Sequence, residues 1–212
     1  MKMLIAVPCM DQVPAAFAQS LALLRKVCDT ACAFQIGSLI YRSRNDLALQ
    51  AVKMEADYIL WLDSDMVFEP DLAERLYKTM ETTGADIVTG LYFRRVPPYT
   101  PVLFDRIDIK EEICSWSQFK EIPAEPFEVG ACGFGGLLMK TDPVLDIQGK
   151  FGNLFAPIGN TGEDIAFCWR ARQCGYKIIC DPSIILGHVG HIIVDESFYM
   201  SYAKVNENGT GH

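Results

Sequence analysis

Apolar residues fall in short, sharply bounded blocks along the first half of the chain. Met3–Val7 stops at Pro8, Phe34–Ile36 forms a second block, Tyr58–Leu62 a third and Asp86–Tyr92 a fourth. Brief continuous apolar runs of this kind are expected of strands buried on both faces. Between them the spacing changes to three and four. Phe17, Leu21 and Leu24 recur at helical intervals, as do Leu47, Ala51 and Met54, and then Leu72, Leu76 and Met80. Ser43 with Asp46 three residues on reads as the cap of the second helix. Glu69-Pro70-Asp71 opens the third, with proline at its first position, and Gly84 ends it. The β-α-β-α-β-α-β alternation predicts an α/β fold with a mainly parallel, mixed sheet flanked by helices. Ligands of such sheets bind beyond the carboxyl ends of the strands, where Pro8, Tyr41–Asn45 and Asp63–Asp65 fall.

The rhythm breaks after Tyr92. Arg94-Arg95-Val96-Pro97-Pro98 is a breaker, and residues 99–130 read as strands and loops covering the active edge of the sheet. Val129–Met139 follows, glycine-rich at Gly133-Phe134-Gly135-Gly136. After a loop over Phe151–Gly162, Glu163-Asp164 opens a helix that Gly175 closes. Tyr176–Cys180 is a strand, and Ile184–His191 is a last apolar run containing His188 and His191. No repeat or linker interrupts the chain. One domain over residues 1–205 is expected, in halves of about 1–93 and 94–205, with a loose polar tail at 206–212.

Composition narrows the function classes. Half of the 212 residues are hydrophobic and mean hydropathy is +0.14, as for a packed domain. A formal net charge of −8 argues against nucleic acid, which selects basic faces. It leaves nucleotides open, because a bound cation supplies positive charge locally. The eight cysteines form no CxxC pair, and Cys28-x3-Cys32 lacks a second pair for zinc, so they read as reduced thiols. The first apolar stretch is too short for a signal peptide, and no run approaches the ~20 residues of a membrane span. A cytoplasmic protein is the expectation.

Asp63-Ser64-Asp65 carries most of the chemistry. Two carboxylates at the end of an apolar strand are costly unless paired, and side chains at i and i+2 of extended backbone point the same way. Such a pair suits Mn²⁺ or Mg²⁺, with waters and phosphate oxygens filling the other positions. A polar turn before Met66–Phe68 is the plainer explanation. His188 can complete the coordination, favouring Mn²⁺, and His191 competes for that role; either can instead be a core histidine. Glu163-Asp164 at a helix start is either a favourable dipole contact or a positioned general base. Arg42, Arg44 and Asn45 are either a solvated cap or contacts to a base or phosphate. Trp61 and Trp169 lie on buried faces. Trp116 either stacks on a sugar ring or packs in the core.

Taken in order, the strand ending at Pro8, Arg44-Asn45, the Leu60–Asp65 stretch, Gly133–Leu138, Gly162-Glu163-Asp164 with Arg170 and Gly175, and Gly187-His188 resemble the GT-A glycosyltransferases, close to family 2. The resemblance covers about residues 3–191. It implies a Rossmann-like GT-A fold and a metal-dependent hexosyltransferase acting with inversion on a nucleotide-diphospho-sugar, UDP ahead of GDP. Asp63, Asp65 and His188 would hold the metal, Asp65 most directly. Asp164 would deprotonate the acceptor hydroxyl and Glu163 would hold the acceptor. Pro8, Cys9, Arg44 and Asn45 would line the nucleotide pocket, Ser64 would lie near the ribose and Gly135 beside the donor sugar. Asp11 matches the acidic residue usual after the first strand. The partners would be the nucleotide sugar and a glycan, lipid-linked or small-molecule acceptor. The rivals are a non-catalytic nucleotide- or sugar-binding domain of the same fold and a retaining transferase. A nucleotidyltransferase would require glycine after the first strand, where Cys9–Pro14 has none.

Overall fold

The apolar blocks become strands in the order their spacing predicts. The structure is a computed structural model that describes residues 1–111, 113–190 and 196. Its first half runs β1 (Lys2–Cys9), α1 (Ala15–Leu23), β2 (Asp29–Ile36), α2 (Ile40–Lys53), β3 (Tyr58–Leu62), β4 (Met66–Val67), α3 (Leu72–Thr83) and β5 (Ile87–Leu91). Then come β6 (Leu103–Phe104), β7 (Arg106–Lys110), β8 (Ile113–Ser117), β9 (Phe127–Glu128), β10 (Ala131–Cys132) and β11 (Gly136–Lys140). The chain continues through α4 (Asp142–Phe151), α5 (Glu163–Gln173), β12 (Ile178–Ile185) and β13 (Gly187–His188).

Seven strands form the main sheet in the order β2-β1-β3-β11-β5-β12-β9. β1 pairs in parallel with β2 and β3, and β5 with β12, whereas β11 lies antiparallel between β3 and β5. The sheet is therefore mixed, as expected. Alternation along each strand divides the core into two layers. Leu4, Ala6, Ile59 and Trp61 face α2, α4 and α5. Met3, Ile5, Val7, Leu60 and Leu62 face α1 and α3, packing on Phe17, Leu72, Leu76 and Met80. All of these side chains are nearly or fully buried.

Three local expectations change. α2 begins at Ile40, with Leu39 rather than Ser43 before its first turn, and Ser43 is buried inside the helix. That start places Arg44 at the head of the stripe Arg44, Leu47, Ala48 and Ala51, so packing against the sheet overrides the capping signal. α3 starts at Leu72, and Glu69-Pro70-Asp71 makes the turn before it. α4 was not anticipated, although Pro143 in its first turn and left-handed Gly152 at its end are ordinary helix punctuation. Gly84 ends α3 in the left-handed region, as its position predicts.

Candidate active site

The acidic motif follows β3 in a tight turn. The Asp63 amide donates to the Gly135 carbonyl at 3.3 Å, and the Met66 amide returns to the Asp63 carbonyl at 3.1 Å. β4 then pairs antiparallel with β13, setting His188 opposite Met66. The Val189 amide donates to the Asp65 carbonyl at 2.8 Å, so two segments distant in sequence share one backbone ladder. As a result His188 Nε2 lies 3.4 Å from Asp65 Oδ2. His188 Nδ1 is 2.9 Å from the Phe93 carbonyl, which can only accept, so this nitrogen carries the proton. His188 Nε2 then faces the Asp65 carboxylate oxygen, an arrangement that a cation between them or a proton on Nε2 makes favourable. Donors about 3 Å apart are the spacing of neighbouring ligands around Mn²⁺ or Mg²⁺, and a carbonyl on the far nitrogen is the usual orienting contact of a metal-bound histidine. Asp65 and His188 therefore fit a divalent cation.

Asp63 is committed differently. Its Oδ1 accepts from Arg44 Nη2 at 2.8 Å, while Arg44 Nε reaches Glu163 Oε1 at 3.3 Å. Arg44 is only 3% exposed and lies across the rings of Phe134 and Trp61, at 5.0 and 5.7 Å from their centroids. Burial alone would lower its pKa; Asp63, Glu163 and Asp164 outweigh that and hold it above the ordinary value. One guanidinium thus locks the start of α5 to the end of β3. The expected three-ligand set is not assembled: among the described residues no three His, Cys, Asp or Glu side chains gather at metal-holding distance. Asp65 and His188 converge, and Asp63 is held by Arg44. His191 lies outside the described residues.

At the start of α5, Glu163 and Asp164 follow Gly162, the extended residue before the first turn. Asp164 Oδ1 accepts from the Ile165 amide at 2.7 Å. Burial, reinforced by neighbouring Glu163, pushes the Asp164 carboxyl up to about 6; Arg44 and the Ile165 amide only partly offset this. A carboxyl with that affinity is ionised at neutral pH yet basic enough to accept a proton.

These groups line one cleft of about 350 Å³ at the carboxyl ends of β1 and β3. Pro8, Cys9, Ser64, Asp65, Arg44, Glu163, Asp164 and His188 are among its lining residues. Asn45 turns elsewhere: its Oδ1 accepts from the Phe155 amide at 3.1 Å and anchors the loop after α4. Gly135 is buried, and the space a Cβ would need there is held by Tyr92 and Met66. Its carbonyl still steadies Asp63 from behind. Arg42 and Asp11 are exposed and do not line the cleft.

Arg95 is the cleft residue that motif reading passes over. Its Nη1 donates to Asp65 Oδ2 at 2.5 Å, the same oxygen that faces His188. The only sequence signal was the Arg94-Arg95 pair, which marks a breaker as readily as a site. Buried Tyr92 packs behind His188, its hydroxyl accepting from the Gly135 amide at 3.2 Å and its ring edge-on to His188 at 5.9 Å.

Comparison with known proteins adds a family likeness. Residues 40–140 match the glycosyl transferase family 2 model, a segment that includes α2, Asp63–Asp65 and β11. No curated protein matches the sequence. Protein A197 from STIV shares the fold with a TM-score of 0.65 at 20% identity, over 92% of this chain and 87% of its own. GalNAc-T7, solved with UDP, GalNAc and Mn²⁺, superposes with a TM-score of 0.61 at 11% identity, over 97% of this chain and 47% of its own. The chain has the GT-A fold, and its residues 40–140 are similar to glycosyl transferase family 2.

Proposed function

We propose that this protein moves a sugar from a nucleotide-diphospho-sugar to an acceptor hydroxyl, with inversion and in dependence on a divalent metal. The observation that carries the reading is the position of Asp164. A carboxyl pushed up to about 6 shares one cleft with the Asp65–His188 pair. Asp164 takes the proton of the acceptor hydroxyl. The freed oxygen bonds to the anomeric carbon, and the bond from that carbon to the diphosphate oxygen breaks with its electron pair leaving on the nucleoside diphosphate. A cation held by Asp65 and His188, Mn²⁺ ahead of Mg²⁺, would neutralise charge on the departing diphosphate. Arg44 keeps Asp63 and Glu163 in register, so Glu163 can hold the acceptor while Asp164 accepts the proton. Pro8, Cys9 and Ser64 line the part of the cleft suited to the nucleoside. That GalNAc-T7 carries UDP and Mn²⁺ on the same fold supports UDP as the first base to try.

Titration calorimetry with UDP and with GDP, each with and without Mn²⁺, tests the donor assignment. One of the two should bind in the micromolar range with Mn²⁺ and at least about tenfold more weakly without it, a difference of roughly 1.4 kcal/mol. Failure of both to bind in a metal-dependent way removes the assignment.

A further inference from the structure

The β7–β8 hairpin presents Trp116 as a half-exposed ring with a cavity on either side. Its relative exposure is 56%, yet it is not a loose surface ring: it meets buried Phe104 edge-on, centroids 5.5 Å apart. Trp116 and Phe104 share a small cavity of about 130 Å³ with Asn160, Thr161, Gly162 and Ile165. Gly162 and Ile165 are the residues on either side of Glu163-Asp164, and Asp164 itself lines the donor cleft. The two cavities are thus lined by neighbouring residues of the first turn of α5 and the glycine before it. Arg94 borders one of them and Arg95 the other. Beyond the tryptophan lies a larger cavity of about 410 Å³, whose rim includes Asp105, Arg106, Asp108, Ser115 and Ser117.

The geometry points to an acceptor subsite for a carbohydrate of at least two sugar units, with Trp116 as its stacking platform. This deepens the transferase reading and rests on it. A sugar ring has an apolar face of C–H groups and a rim of hydroxyls. It therefore matches an exposed indole bordered by carboxylates, a guanidinium and serine hydroxyls. A ring fixed by Phe104 loses little freedom on binding. The terminal unit would enter between Phe104 and the start of α5, bringing its hydroxyl toward Asp164. The next unit would lie on Trp116, and later ones would extend over the rim of the larger cavity.

The test uses the whole chain and a panel of cello-, chito-, manno- and malto-oligosaccharides of two to six units. Titration calorimetry measures affinity in the parent and in both variants; in the parent a second readout is the indole fluorescence of Trp116, because Trp61 is fully buried and Trp169 half-buried. At least one series should perturb it, with affinity rising from two to four units. Trp116→Ala should weaken that binding tenfold or more, and Trp116→Phe should restore most of it. Affinity for UDP with Mn²⁺ should stay within about twofold in both variants. The subsite is refuted if no series binds the parent chain at millimolar concentration, or if Trp116→Ala binds as the parent does. Transfer to a hydroxylated peptide that is indifferent to Trp116→Ala also refutes it. If glycan binding requires Trp116 but UDP does not bind, the subsite stands and the donor assignment falls.

Discussion

At the scale of single residues, Asp164 has the clearest consequence. Its carboxyl is raised to about 6 in the folded chain, against about 3.9 in an unfolded one. Activity should therefore climb as pH rises through about 6, the fraction of ionised Asp164 setting the limb. The same shift acts on stability with the opposite sign. Between pH 4 and 6 the folded state binds more protons at this site than the unfolded state, so stability contributed here falls as pH rises and stays low above 6. Asp164→Asn, which keeps an oxygen for the Ile165 amide, should abolish transfer yet unfold in urea about 1–2 kcal/mol later at pH 8. At pH 4 that gain should vanish. A variant that transferred sugar at the parent rate would strip Asp164 of its role. Arg44 behaves in the contrary way. Removing it leaves Asp63 and Glu163 facing each other without their shared cation, so Arg44→Ala should cost about 3–5 kcal/mol in urea unfolding. Loss of less than about 1 kcal/mol would show that the buried guanidinium is not what locks α5 to β3.

At the scale of elements, the glycine-rich stretch before β11 is a packing device. A Cβ on Gly133 would collide with the Tyr92 hydroxyl and lie 2.9 Å from Val102 Cγ1. Gly133→Ala should therefore cost about 2–3 kcal/mol, and Tyr92→Phe about 1 kcal/mol through loss of the Gly135 contact. The double variant should be at least about 1 kcal/mol more stable than the sum of the two costs implies, because removing the hydroxyl removes the obstacle. Strict additivity in denaturant unfolding would contradict this packing. Sequence reading found the elements whose periodicity is strong. β3 was legible to the residue at Tyr58–Leu62, and Gly84 marked the end of α3. It was weaker where tertiary contact competes with local signal. Ser43 resembles a cap but lies buried in α2, since sheet packing sets the helix start. Asp65 and His188 were legible as residue types, and the pairing of β4 with β13 is what joins them. Arg95 and Tyr92 stayed hidden because nothing local distinguishes an arginine on a cleft carboxylate from one in a polar loop.

At the scale of the whole molecule, the cleft draws its parts from elements spread along most of the chain, so ligation and folding are linked. Pro8 comes from β1, Asp65 from the turn after β3, Asp164 from α5 and His188 from β13. The parallel strands carry the first two to one edge, and the antiparallel β4–β13 ladder brings the last beside them. Among the described residues no helix is long and apolar enough to cross a membrane. Under the proposed function, a cation held by Asp65 and His188 would need diphosphate oxygens and water to complete its shell, so metal and nucleotide should each improve the other's affinity. Each alone should raise the melting temperature little. UDP and Mn²⁺ together at about 100 times the dissociation constant stabilise by about 2.7 kcal/mol, which for a chain of this size is about 5–10 °C. His188→Ala should reduce that combined shift to near the sum of the separate effects, because the metal site then keeps only Asp65. Arg95→Ala should leave the combined shift intact or larger, because it removes the guanidinium that occupies Asp65 Oδ2. Equal loss in both variants would mean that Arg95 is needed to hold the diphosphate itself, and would reassign it from competitor of the cation to ligand of the donor.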